Sequence, residues 1–138
     1  MAKLAILCVD DEAIILNSLV RQLQTAFDDD YLYETAENAD EALEIIEELQ
    51  AEGTALLVIV SDWLMPGAKG DEFLIKVHQR FPGVVKIMLT GQADRDAIER
   101  AIDQANLYTC LEKPWQAQDL IQAIQSALPL VESSNVKS

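Results

Sequence analysis

Ala55-Leu56-Leu57-Val58-Ile59-Val60, followed at once by Ser61-Asp62, is the stretch that decides the fold. Six consecutive apolar residues, half of them valine, isoleucine or their like, suit a strand rather than a helix face. A strand that is apolar at every position has no side to turn to water, so it must be covered on both faces. That is the situation of a strand inside a parallel sheet.

Working outward, residues 4–9 form a second run of this kind. Between the two runs, Leu16, Leu19, Val20, Leu23 and Phe27 recur at helical spacing. Residues 31–36 read as a more polar strand, suited to a sheet edge. Asn38 can cap the helix that follows, which turns Leu43, Ile46 and Leu49 inward. Downstream, Asp71 opens a helix carrying Phe73, Leu74 and Val77, and Pro82-Gly83 marks a turn. Residues 84–89 form a fourth strand, interrupted only by Lys86. A helix over residues 93–104 has a thin stripe of Ala97, Ile98, Ala101 and Ile102. Residues 107–111 make a short fifth strand. The last helix, residues 116–128, faces Leu120, Ile121, Ile124 and Leu128 inward, and Pro129 is expected to end it.

Five strands alternating with five helices predict an α/β domain, a doubly wound parallel sheet in the order 2-1-3-4-5 with its most apolar strands at the centre. One domain over residues 1–131 accounts for the pattern, with residues 132–138 as a polar tail or linker. The chain has 138 residues, enough for one real core.

Composition narrows the function classes. The formal net charge of −14 argues against direct binding to nucleic acid, whose phosphates would repel it. Part of that charge is a solvated face, with Glu41, Glu44, Glu47 and Glu48 on one helix. No apolar run is long enough to span a bilayer, and the N-terminus does not read as a secretory signal, so a cytoplasmic location is expected. Cys8 and Cys110 lie far apart in apolar stretches, with no zinc or redox spacing, and read as buried thiols in a reducing compartment.

In open α/β sheets, ligands bind beyond the carboxyl ends of the strands. Asp10 and Asp11 follow the first strand, Ser61-Asp62 the third, Thr90-Gly91 the fourth and Lys113-Pro114 the fifth. Three acids, a hydroxyl and an ammonium therefore converge on one end of the sheet. Close carboxylates repel and call for a cation, and oxygen ligands on short loops suit Mg²⁺. A carboxylate beside such a cation can attack a phosphoryl group, and an ammonium and a hydroxyl can stabilise the charge on its oxygens. Singly, each residue also has an ordinary reading. Asp10 and Asp11 would suit a helix start, Asp62 a turn, Thr90 a strand end and Lys113 a solvated surface. The argument rests on their conjunction.

Four segments carry a family resemblance: Val9-Asp10-Asp11-Glu12; Ser61-Asp62 with Met65-Pro66-Gly67; Leu89-Thr90-Gly91; and Lys113-Pro114-Trp115. Over residues 4–128 the sequence resembles the receiver domain of two-component response regulators, a flavodoxin-like fold. The resemblance implies that Asp62 is the phosphoacceptor and that Asp11, Asp62 and the backbone carbonyl of Leu64 hold Mg²⁺, with Asp10 acting through a metal-bound water. It implies that Lys113 contacts the phosphoryl oxygens, that Thr90 hydrogen-bonds one of them, and that the Lys113-Pro114 bond is cis. It also implies a histidine kinase or phosphotransfer protein as donor, a downstream effector domain or protein as target, and a switch rather than an enzyme with turnover.

The sequence departs from the family in places. Where many receivers carry an aromatic switch residue, three before the lysine, this chain has Cys110; strand alternation expects Tyr108 on the same face, and either Tyr108 substitutes or the readout relies on Thr90 and the loop around it. Leu64 and Gln92, two residues after Asp62 and Thr90, border the path of a hydrolytic water, and an apolar Leu64 predicts slow self-dephosphorylation. The last helix offers Gln116, Gln118, Asp119, Gln122 and Gln125 but no lysine or arginine, which disfavours a dimer built on salt bridges there. Trp115 reads either as a partner anchor or as packing against the last helix, and His78 as a helix-surface residue. Two other functions compete. An unphosphorylated binding module would be expected to lose part of the acidic cluster. A haloacid-dehalogenase-type phosphatase would be expected to carry an aspartate where Leu64 stands. No dinucleotide or P-loop glycine motif is present.

Overall fold

The computed structural model describes residues 4–65, 68–91 and 95–136, with backbone alone for 64–65, 68–70 and 128–136. Five strands form one sheet: β1 Leu4–Val9, β2 Leu32–Ala36, β3 Ala55–Asp62, β4 Val85–Thr90 and β5 Thr109–Glu112. Five α-helices alternate with them: α1 Ala13–Phe27, α2 Ala39–Ala51, α3 Gly70–Arg80, α4 Arg95–Ala105 and α5 Ala117–Val136. The strand order is β2-β1-β3-β4-β5 and every pairing is parallel. A two-residue ribbon, Leu64–Met65 against Ala68–Lys69, lies between β3 and α3.

Strand alternation divides the core into two layers. Leu7, Val9, Ile59 and Met88 face α2, α3 and α4, meeting Ile46, Phe73, Leu74, Val77 and Ala101. Ile6, Cys8, Val58, Val60, Ile87 and Leu89 face α1 and α5, meeting Leu16, Leu19, Leu23, Leu120 and Ile124. Each fully buried leucine, isoleucine or valine contributes about 1.5–3 kcal/mol. The apolar run quoted first is the centre of this sandwich.

Local signals set the helix ends. The Asn38 side chain accepts from the Glu41 N–H at 2.8 Å and caps α2. At the other end Gly53, with φ 77°, donates to the Gln50 carbonyl while Thr54 donates to that of Leu49. This paired closure turns the chain into β3 and needs a left-handed residue, which glycine adopts freely.

Three expectations are corrected. Pro129 does not end α5, which continues to Val136. Proline fixes φ in the helical range, so its cost is a lost hydrogen bond and a crowded turn rather than an impossible conformation. Ile102 is 52% exposed, not part of the inward stripe of α4. The buried set there is Ala97, Ala101 and Ala105, a spacing of four, and Ile102 lies about 100° further round the helix. Tyr108 and Cys110 do not share a face. Tyr108 precedes β5, so strand alternation does not reach it, and its hydroxyl meets Ser126 of α5 at 2.7 Å. Cys110 packs instead in the layer that contains α3 and α4.

Candidate functional site

The carboxyl ends of β1 and β3 bring the acidic residues together. Asp10 follows β1, and its N–H donates to the Ala36 carbonyl at 3.0 Å, which fixes the turn out of the sheet. Its side chain is wholly buried; Oδ1 accepts from the Glu12 N–H at 2.9 Å, and Oδ2 accepts from Lys113 Nζ at 2.9 Å. Asp62 is the last residue of β3 and nearly buried, and its Oδ1 lies 2.9 Å from the same Nζ. Asp11 is exposed at the mouth. One carboxylate oxygen from each of Asp10, Asp11 and Asp62 falls within 4.8 Å of the others.

Lys113 is thus held between two carboxylates. The backbone anchors it as well, since its N–H donates to the Thr90 carbonyl at 2.7 Å, and the Lys113-Pro114 bond is cis. Thr90 is buried at the end of β4, in register with Glu112 of β5. Leu64 lies in the ribbon two residues after Asp62, where its backbone pairs with that of Lys69. Its side chain, Pro66, Gly67 and Gln92 lie outside the described residues.

The electrostatics follow from burial and crowding. Burial pushes the Asp62 carboxyl above its ordinary value; the Lys113 hydrogen bond opposes this, while Asp10 and then Asp11 add to it. Burial alone would lower the Lys113 ammonium, but its hydrogen bonds to Asp10 and Asp62 outweigh that and hold it above its ordinary value. Three carboxylates facing one ammonium leave an excess of negative charge that a hard divalent cation would balance. The oxygens are of the kind and spacing such an ion takes, so the residues fit Mg²⁺.

A family model described as the response regulator receiver domain matches residues 6–125. The chain belongs to that family. It is 32% identical over 123 residues to the hydrogenase transcriptional regulatory protein HoxA of Cupriavidus necator, covering 89% of this chain and 24% of that protein's length. Among solved structures, the signal receiver domain of an HD domain-containing protein from Pseudomonas fluorescens Pf-5 superposes with a TM-score of 0.86 at 28% identity, over 100% of this chain and 96% of that one. A CheY-like receiver domain from Methanospirillum hungatei JF-1 gives 0.82 at 30% identity, over 97% and 99%. Receiver domains are signalling switches built on this doubly wound sheet.

Sequence reasoning missed two interactions. His78 is not a plain surface residue: it is half-buried, with Nδ1 2.9 Å from Nζ of the wholly buried Lys86. The lone lysine of an otherwise apolar strand was the available signal. Asp71, expected only as a helix opener, is wholly buried and pairs with Arg100 of α4. Nothing in their sequence separation of 29 residues announces that pair. Trp115 is half-buried against α1 and α5, with its Nε1 donating to Gln22 at 2.8 Å.

Among the described residues, no helix is long and apolar enough to cross a membrane.

Proposed function

We propose that this receiver accepts a phosphoryl group on Asp62 from a histidine kinase or phosphotransfer protein, and that the modification changes the surface formed by α4 and β5 for a downstream effector. The observation that carries the reading is Lys113 Nζ at 2.9 Å from both Asp10 and Asp62, with the Asp11 carboxylate beside them. Asp11, Asp62 and the backbone carbonyl of Leu64 would hold Mg²⁺, with Asp10 acting through a water on the ion, which supplies charge neutralisation when bound.

In this reading an Asp62 carboxylate oxygen attacks phosphorus in line with the leaving donor, forming a mixed anhydride. Lys113 is already oriented by Asp10, so its ammonium can shift from Asp62 to the phosphoryl oxygens without a long search. The Thr90 hydroxyl donates to a phosphoryl oxygen and carries the turn after β4 with it. Slow self-dephosphorylation follows from the apolar residue at position 64. A cytoplasmic site of action fits a kinase donor, and direct contact with nucleic acid does not fit a net charge of −14. The Asp71 partnership of Arg100 and the lack of basic residues among the named polar positions of α5 leave few cations for a salt-bridged dimer on this face.

The test is intact mass after incubation with acetyl phosphate, with and without Mg²⁺. The expected result is a Mg²⁺-dependent gain of one phosphoryl group in the wild type and none in Asp62→Asn. No gain in folded wild-type protein would favour a module that binds partners unphosphorylated.

A further inference from the structure

We propose that the Asp71–Arg100 ion pair is a latch that fastens α4 in its resting seat and sets how readily that helix departs. The mobility of α4 in signalling rests on the reading above. The latch itself is a property of the unmodified chain.

The two partners are unequally placed. Asp71 sits in the first turn of α3, just beyond the segment that follows Asp62, and its side chain is 0% exposed. Its Oδ2 accepts from Arg100 Nη1 at 2.6 Å, and its Oδ1 has no hydrogen-bond partner among the described residues. The Arg100 side chain is 43% exposed. The cation is therefore half in water while the anion has none. If α4 moves away, Arg100 regains hydration at little cost, but Asp71 is left as a buried charge with only the α3 dipole to favour it.

The apolar packing of α4 is modest. Its buried residues are Ala97, Ala101 and Ala105, Ile98 is half-buried, and Ile102 points largely into solvent. Three methyl groups and one half-buried isoleucine bury less apolar area than the large side chains that anchor the other helices. Against that modest apolar hold stands one charge pair, which joins the helix after the acceptor strand to the helix after the Thr90 strand. A ligand that shifts α4 must supply differential affinity against that pair. Weakening the pair should make the shift easier without touching Asp62, Thr90 or Lys113.

Amide hydrogen exchange on the unmodified protein tests this directly, comparing wild type, Arg100→Gln, Arg100→Lys, Asp71→Asn and the double variant Asp71→Asn/Arg100→Gln. Arg100→Gln should speed exchange across residues 97–105 on the order of tenfold to a hundredfold, the cost of stranding one member of a buried pair reduced by solvent access. Exchange in α1 and α2 should not change. Arg100→Lys should lie nearer wild type, and the double variant should recover most of the protection, because no charge is left to strand. Unchanged α4 exchange in Arg100→Gln overturns the latch. So does a double variant that exchanges as fast as Arg100→Gln, or a loss of protection spread equally over all helices. In a second arm, Arg100→Gln with Mg²⁺ should bind beryllofluoride, a phosphoryl mimic, more tightly than wild type; equal or weaker binding, while wild type binds, also overturns the latch. Failure of wild type itself to bind beryllofluoride would count against the phosphoacceptor reading and leave the exchange result to decide the latch alone.

Discussion

Helices α2 and α4 lie on the same side of the sheet and are of similar length, 13 and 11 residues, yet they are held by different physics. Helix α2 buries Ile46 and Leu49 with Ala39 and Ala42, is capped by Asn38 and closes through Gly53. Helix α4 buries alanines, exposes Ile102, and leans on one ion pair to α3. Apolar burial is non-directional and degrades gradually with displacement, so α2 is frame. The Asp71–Arg100 pair, its carboxylate buried and its guanidinium half in water, depends on direction and distance, so α4 is the part proposed to move. A switch needs both kinds of element: a frame that keeps the site residues in place and a part whose position a small change at the site can reverse.

Truncation should expose this contrast most strongly. Ile46→Ala is expected to cost about 2–5 kcal/mol in urea unfolding, since Ile46 is buried in the α2 layer. Ile102→Ala, at 52% exposure, is expected to stay within about 0.5 kcal/mol. Equal costs for the two would break the comparison.

A buried charge that burdens the frame makes a second test. Burial lowers the Lys86 ammonium to about 8 from an ordinary 10.5, and its neighbour His78 is lowered first by burial and then by the Lys86 charge. Below pH 8 the lysine is protonated both folded and unfolded, and the fold bears the full cost of the buried charge. Between about 8 and 10.5 the unfolded chain holds the extra proton, so stability rises with pH across that window. The gain is on the order of 3 kcal/mol at most. Urea unfolding at several pH values should show the rise in wild type and a flatter profile in Lys86→Met. A parallel rise in both proteins would remove Lys86 as the cause.

The cap gives the smallest effect. Asn38→Ala should lower stability by about 1 kcal/mol, because the Glu41 N–H loses its side-chain acceptor. No measurable loss would mean that water replaces the cap and that α2 owes its hold to packing alone.

Periodic features of the sequence carried most of the architecture. The unbroken apolar run before Asp62, the alternation around it and the Asn38 cap were readable because each acts over a few residues and recurs. The acidic cluster was readable because parallel strands deliver their last residues to one edge, so Asp10, Asp11, Asp62, Thr90 and Lys113 had to gather there. What escaped depends on rotation or distance. The exposure of Ile102 turns on where α4 settles on α3, and a stripe of alanines leaves that angle open. The separate faces of Tyr108 and Cys110 turn on β5 starting at Thr109, one residue too late for alternation to apply. The continuation of α5 past Pro129 shows a local breaker tolerated at the cost of one hydrogen bond. The Asp71–Arg100 and Lys86–His78 pairs join different elements, and no local rule reaches across them.

The most direct measurement of the central claim is a backbone amide NMR comparison of the wild-type protein with Mg²⁺ before and after adding beryllofluoride. The account predicts large shift changes at Asp62, Thr90 and Lys113 that extend through α4 and β5, while α2 stays quiet. Changes confined to the residues around Asp62, or spread equally over α2 and α4, would contradict it.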